Sequence, residues 1–339
     1  MRFILLFLIL AVQLTAEDPR VLSIGEPIID LIYQVDDTFV EMELTEVGGS
    51  RKVDRKEFRR IKKLLEKAPC HAIPGGCSSS TAKGISKLGL PCLYFGKIGQ
   101  DESGKLFKDS LLKHQVAPLL LSSENHTSEL ISLVTPDGQR SMISYFGAGE
   151  ELTEDELTEE LFSGVNHLIL VGYTLYNDKI FFRAVELAKK AGATISLDLA
   201  SYQLVHMFKQ ELLLTIYNSV DVLFANADEA HELTGLPPEQ ACFLLQRYCP
   251  VVVVSAGKDG CYVGSKDEVI HCPGRKANVM DTTGAGDLFA GGFLWGYLKG
   301  YPLKKCGELG NLLGSHCVEV LGAEIPDWKW EEIYKEIED

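Results

Sequence analysis

The stretch DTTGAGDLFAGGF, residues 281–293, sets two carboxylates around a run of small residues and passes directly into apolar sequence. Gly284, Ala285 and Gly286, followed by Leu288, Phe289, Leu294, Trp295 and Leu298, read as a glycine turn opening a buried helix. Such a turn aims unpaired backbone N–H groups and the positive end of the helix dipole at one point, which makes an anion site. Asp287 falls in the first helical turn, where a carboxylate can accept a proton from an attacking hydroxyl. A simpler reading fits the same residues: Asp281 or Thr283 caps the helix, Asp287 complements the dipole, and the glycines allow close packing. The chain has no GxxxxGKS or GxxxxGKT run, and no GxGxxG follows its first apolar strand, so Walker-type nucleotidases and nicotinamide dehydrogenases lose support.

Outward from this stretch, short apolar runs alternate with amphipathic ones. VLSIG (21–25), HLILVGY (167–173), TISLDLA (194–200), DVLFAN (221–226) and VVVVSAG (251–257) are continuously hydrophobic, as strands buried on both faces are. Helical patterns cover 54–67, 78–89, 102–114, 178–191, 203–217, 227–234 and 238–248. That order predicts an α/β fold with a doubly wound, mostly parallel sheet flanked by helices. Its ligand cleft lies beyond the carboxyl ends of the strands, where Gly25-Glu26, Asp198, Asn226 and Ser255-Ala256-Gly257 fall. Segments 30–53 and 117–146 break the alternation with shorter strand patterns and a hairpin signal at Pro136-Asp137-Gly138, and are expected to form a small β-sheet lid over that cleft.

With 339 residues, 46% of them hydrophobic, the chain can bury a large core. Its net charge of −15 argues against nucleic acid or an anionic membrane surface as partner. Nine cysteines show no CxxC pair, so they read as reduced thiols of a cytoplasmic protein. Residues 1–16 point elsewhere: Arg2, FILLFLILAV and Leu14-Thr15-Ala16 resemble a secretory leader and are too short for a stable membrane span. Export is therefore the alternative location, and a mis-assigned start codon would also account for the segment.

Two distant segments carry a family resemblance. DTTGAGDLFAGGF is similar to the C-terminal signature of the ribokinase-like (PfkB) carbohydrate and nucleoside kinases. PGGCSSSTAKGISKLGLPCLYFGKIGQDESGKLFKDSL (74–111) resembles their N-terminal signature, and the likeness runs over about residues 20–330. VTPDGQRSMISYFGA (134–148), VDVLFANADEAHELTG (220–235), GEPIIDLIYQVDDTFV (25–40) and DLASYQLVHMFKQEL (198–212) resemble the adenosine-kinase-like branch most.

The resemblance implies an ATP-dependent, Mg2+-requiring kinase acting on a primary hydroxyl of a nucleoside or sugar, as monomer or homodimer. Asp287 becomes the catalytic base and Gly284, Ala285 and Gly286 the anion hole. Asp30 binds substrate hydroxyls, Gly75 and Gly76 admit the sugar, and Ser80 stands where the signature has asparagine. Asn226 and Glu229, in NADE, organise Mg2+, its waters and phosphate; alone they read as a capping box. Arg140 matches a lid arginine that reaches the phosphates, against a solvated hairpin arginine. Ser255, Gly257 and Gly260 match the nucleotide loop, and some relatives bind a monovalent cation such as K+ near the anion hole. The sugar-kinase DxNxR is replaced by DLASY at 198–202, which favours adenosine or a related ribonucleoside over a ketose or ribose. A catalytically silent, exported ligand-binding protein is the competing reading from another class.

Overall fold

The computed structural model describes residues 18–44, 49–136 and 139–338; the leader reading at 1–16 and the turn residues Asp137 and Gly138 lie outside them. In chain order the strands are β1 Val21–Ile24, β2 Ile28–Gln34, β3 Ser50–Lys52, β4 Cys70–Pro74, β5 Cys92–Gly99, β6 Ala117–Ser123 and β7 Ser128–Val134. They continue as β8 Arg140–Tyr145, β9 His167–Val171, β10 Thr194–Asp198, β11 Val222–Asn226, β12 Val251–Ser255, β13 Cys261–Ser265 and β14 Glu268–Cys272. The helices are α1 Asp37–Glu43, α2 Arg55–Leu64, α3 Cys77–Lys87, α4 Glu102–Lys113, α5 Asp178–Ala191 and α6 Tyr202–Met207. After them come α7 Lys209–Ser219, α8 Ala227–Thr234, α9 Pro238–Leu245, α10 Ala285–Leu298, α11 Leu303–Cys317 and α12 Asp327–Glu338.

Nine strands form the large sheet in the order β14-β13-β12-β11-β10-β9-β1-β5-β6, parallel from β12 through β6 with an antiparallel edge at β13 and β14. The winding reverses between β1 and β9, and at such a switch point the carboxyl ends of the strands splay into a crevice. Continuous hydrophobicity follows from burial on both faces. Val252 and Val254 join Leu22, Ile24 and Phe181 on one side, and Val251 and Val253 join Val21, Phe293 and Trp295 on the other. Each such buried side chain contributes about 1.5–3 kcal/mol. Among the described residues no helix is long and apolar enough to cross a membrane.

A second sheet, ordered β3-β8-β7-β2-β4, carries Asp30 on β2 and Arg140 at the start of β8. Three expectations change here. Ala117–Ser123 pairs with β5 in the large sheet, so only the later part of 117–146 enters the small one. Segment 30–53 contains a helix, α1, capped by Asp36 through the Phe39 N–H at 2.9 Å. The single helix expected over 203–217 is divided at Phe208, whose φ of −115° and ψ of 29° leave the helical region.

Candidate active site

α10 begins at Gly284, whose φ of +75° lies in the left-handed region that glycine tolerates. A Cβ there would also stand 2.2 Å from the Ala323 Cβ. No side chain caps the helix, which corrects the capping reading of Asp281 and Thr283. Ala285 N–H turns to the Thr282 carbonyl at 3.3 Å, and Leu288 N–H is the first to bond back, to Gly284 O at 2.9 Å. The Gly286 and Asp287 N–H groups keep no acceptor among the described residues. They point with the positive pole of α10, as an anion site requires.

The two acids of this stretch have separate tasks. Asp281 accepts from Thr283 N–H at 3.0 Å, the Thr283 hydroxyl at 2.7 Å and Gly322 N–H at 2.9 Å, and Arg140 Nη1 stands 3.6 Å from it. Burial pushes its pKa up, but these donors and Arg140 outweigh it and hold the carboxyl below its ordinary value. Asp281 is thus a clamp joining the glycine turn to the Gly322–Ala323 segment beneath it. Asp287 is lifted to about 7, first by burial, then by the Asp198 charge; the Cys77 thiol draws it down and Asp30 adds a smaller rise. A carboxylate poised near neutrality is suited to exchanging a proton with a hydroxyl.

On the other side of Asp287 lies α3, whose small residues let it sit close to the switch point. A Cβ on Gly25 would fall 2.0 Å from the Ser78 hydroxyl, and one on Gly291 would be 3.0 Å from Thr81 O. Gly76, with φ +91°, is the N-cap of α3, and Ser80 is buried one turn on with its N–H on Gly76 O at 3.0 Å. A side chain at Gly75 would meet the Asp30 carboxylate at 2.7 Å, so its absence lets Asp30 lie against the backbone. Burial lifts Asp30 to about 6, against the pull of Arg140 and then Lys83. Arg140 also donates to the Ser132 hydroxyl at 3.0 and 2.9 Å. Lys83 is buried between Pro74 O at 3.3 Å and Glu324 at 3.2 Å, and burial lowers its pKa despite that partner. Asp30 therefore lies within electrostatic reach of Arg140 and Asp287, with Gly75 packed against it.

Asn226 and Glu229 form a reciprocal capping box. Asn226 Oδ1 accepts from Glu229 N–H at 2.9 Å, and the Glu229 carboxylate accepts from Asn226 N–H at 2.8 Å and Nδ2 at 2.7 Å. Burial first, then Asp198, lifts buried Glu229 to about 8, and burial lifts Asp198 itself to about 6. Ser255, Gly257 and Gly260 follow on the next strand, in a tight turn where a Cβ on Gly260 would strike Cys272 O at 2.0 Å. Asp198 and Asp287 both raise Glu229, and Asp198 raises Asp287, so these neighbouring carboxylate oxygens suit a hard divalent cation. Among the described residues no three acidic, His or Cys side chains converge into a cage.

Asp198 and Cys77 belong to this cluster, although neither was assigned a catalytic or binding role from the sequence. Strand-end position was the signal for Asp198, whereas Cys77 lay unremarked inside PGGCSSS. The Lys83–Glu324 pair joins residues 241 apart, beyond any spacing rule.

A family model described as pfkB family carbohydrate kinase matches residues 19–330. The chain is 29% identical over 267 residues to a nucleoside kinase of Methanocaldococcus jannaschii, covering 78% of this chain and 85% of the relative. Its fold matches the crystal structure of an adenosine kinase from Sinorhizobium meliloti with a TM-score of 0.84 and 29% identity, over 94% of this chain and 99% of the other. A probable sugar kinase from Rhizobium etli matches with a TM-score of 0.85 and 27% identity, over 95% and 99%.

Proposed function

The chain belongs to the pfkB family of carbohydrate kinases, and from that premise we propose that it moves the γ-phosphoryl group of ATP to the primary hydroxyl of a ribonucleoside, with Asp287 as base. It is a phosphotransferase of the sugar and nucleoside kinase kind, acting on a hydroxyl group and using ATP as co-substrate. The observation that carries the reading is the juxtaposition, on consecutive residues, of unpaired N–H groups at the head of α10 and a carboxyl with a pKa of about 7.

In this reading the substrate lies against Gly75 and Gly76 with its ring hydroxyls on Asp30, and its hydroxymethyl group faces Asp287. The base takes the proton as the oxygen attacks, while the Gly284–Gly286 turn holds the charge on the transferring group. Arg140 stands on the small sheet, which would act as a lid over the cleft; closure would carry its guanidinium to the phosphates and exclude water. Asn226 and Glu229 would hold Mg2+ through its waters, and the ion would supply neutralisation of phosphate charge there. Ser255, Gly257 and Gly260 would border the nucleotide.

Adenosine is the favoured acceptor because a nucleoside kinase and an adenosine kinase are among the relatives and DLASY replaces the sugar-kinase element. The test is ADP release with ATP and Mg2+ over adenosine, other nucleosides, ribose and fructose, with 31P NMR of the product. The highest kcat/KM with adenosine and a phosphate on its primary carbon are expected. A higher value with fructose or ribose replaces the nucleoside by a carbohydrate; ATP binding without turnover on any acceptor favours the silent binder.

A further inference from the structure

Lys83 stands in the middle of α3 and is 3% exposed, so its ammonium has to find its partners inside the protein. It has two. Nζ donates to Pro74 O at 3.3 Å and to the Glu324 carboxylate at 3.2 Å, with the centre of the Phe107 ring 5.9 Å away. The same Glu324 oxygen accepts from the Ser110 hydroxyl on α4. Burial pushes the Glu324 carboxyl up, but Lys83 and then Ser110 outweigh it and hold it below its ordinary value, so the pair is ionised. Each partner adjoins a different half of the site. Pro74 ends β4 and precedes Gly75, which lies against Asp30. Glu324 follows Gly322, whose N–H is held by Asp281, and Ala323, which packs on Gly284. The two segments also touch, since a Cβ on Gly322 would be 2.9 Å from Ile73 Cδ1.

We infer that Lys83 is a positioning residue: it ties the turn at 74–76, which takes the acceptor, to the segment at 322–324, which supports the anion-hole glycine, and so fixes how far the acceptor hydroxyl stands from the transferring group. Lys83 is too buried to touch either substrate, and its effect passes through Pro74 O and Glu324. An ammonium has three donors, so one group serves a carbonyl and a carboxylate at once. An apolar side chain would fill the same space without joining them. The same helix also reaches the base, because the Thr81 hydroxyl lies 3.1 Å from Asp287 O. Through Thr81 and Lys83, α3 is thus joined to the base, the acceptor turn and the support of the anion hole. Such a frame matters for rate, since a misplacement of about 1 Å between reacting groups costs about 100-fold.

This inference rests on the proposed kinase reading, in which the acceptor lies on Gly75 and Gly76, so its test separates the two. The full chain, Lys83→Met, the double variant Lys83→Met with Glu324→Met, and Asp287→Asn are compared in kcat and in KM for ATP and for each of adenosine, ribose and fructose. Rates are taken where urea curves show every variant folded. Removing one member of a buried ion pair destabilises, whereas replacing both by apolar side chains of similar volume restores much of the loss. The double variant is therefore expected to recover the urea midpoint lost in Lys83→Met. Both are nevertheless expected to keep a kcat about tenfold or more below wild type, with KM for ATP within about threefold. In parallel, amide hydrogen exchange in peptides spanning 72–77 and 320–325, which needs no acceptor, is expected to quicken about threefold or more in both variants, with that of α5 unchanged. A double variant with kcat within about twofold of wild type, or unchanged exchange at either segment, overturns the positioning role of Lys83. Wild-type turnover in Asp287→Asn overturns the base assignment, and absence of turnover on any acceptor overturns the kinase reading, however the exchange rates of the Lys83 variants behave.

Discussion

Gly284 and Gly286 are two residues apart in one turn, yet the structure gives them opposite responses to the same substitution. In Gly284→Ala the added methyl meets two costs. The φ of +75° is left-handed, worth about 1–2 kcal/mol against any other residue. The new Cβ would also lie 2.2 Å from the Ala323 Cβ and 3.0 Å from its Cα, so the 322–324 segment must move, an overpacking cost of about 1–3 kcal/mol. The sum is about 2–5 kcal/mol. With a urea m-value of about 3 kcal/mol/M, the midpoint falls by about 1 M. In Gly286→Ala the methyl meets no atom within 4 Å. Glycine replaced by alanine inside a helix gains about 0.5 kcal/mol, so the midpoint holds or rises. That methyl borders the unpaired N–H groups, however, and is expected to lower kcat/KM for ATP by about tenfold or more. Urea unfolding followed by the fluorescence of the chain's three tryptophans, of which Trp295 lies within α10, reads the first effect, and ADP release reads the second. A Gly284→Ala midpoint equal to wild type, or equal losses of stability in both variants, would refute the reasoning.

The other expectations concern charge. Asp30, Asp198 and Asp287 are lifted to about 6, 6 and 7 by burial above all, so the folded chain binds protons that the unfolded chain does not between about pH 4 and 7. Stability of the ligand-free protein therefore rises as pH falls through that window, and its urea midpoint is expected to be higher at pH 6 than at pH 8. Asp287→Asn removes one buried charge and should raise the midpoint at pH 8; a lower midpoint there contradicts the burial of that charge. Asp281→Ala leaves Thr283 N–H and Gly322 N–H without their acceptor, at a cost of about 2–4 kcal/mol. Because Gly322 and Ala323 support Gly284, kcat should fall with stability in that variant, and an unchanged kcat would separate the clamp from the anion site.

The large sheet was legible because β1 and β9 to β12 are buried on both faces and therefore hydrophobic without interruption. What was not legible lacked that pattern. β4, CHAIP, is an edge strand with three exposed residues and a terminal Pro74, so it shows neither alternation nor a run. α1 is seven residues long with Val40 as its one buried apolar residue, too short to display a helical period. β6 reads like the strands of the small sheet because it closes the edge of the large one and is only partly buried. At the site, the glycine turn opening α10 and the place of Asp287 in its first turn were readable from local spacing, whereas Gly76 came from the family resemblance. The clamp of Asp281 on Gly322 and the approach of the Thr81 hydroxyl to Asp287 O were not readable, since each is created by packing of segments far apart in the chain.

The account turns on Asp287, and the most direct measurement is the initial rate of acceptor-dependent ADP release for wild type and Asp287→Asn at saturating ATP, Mg2+ and adenosine. Asp287→Asn keeps the size of the side chain and its place on α10 but cannot take a proton. The account predicts a fall in kcat of about 10²–10⁴-fold with KM for ATP little changed. An Asp287→Asn rate within about threefold of wild type would contradict it and return the turn at 284–287 to a purely structural part.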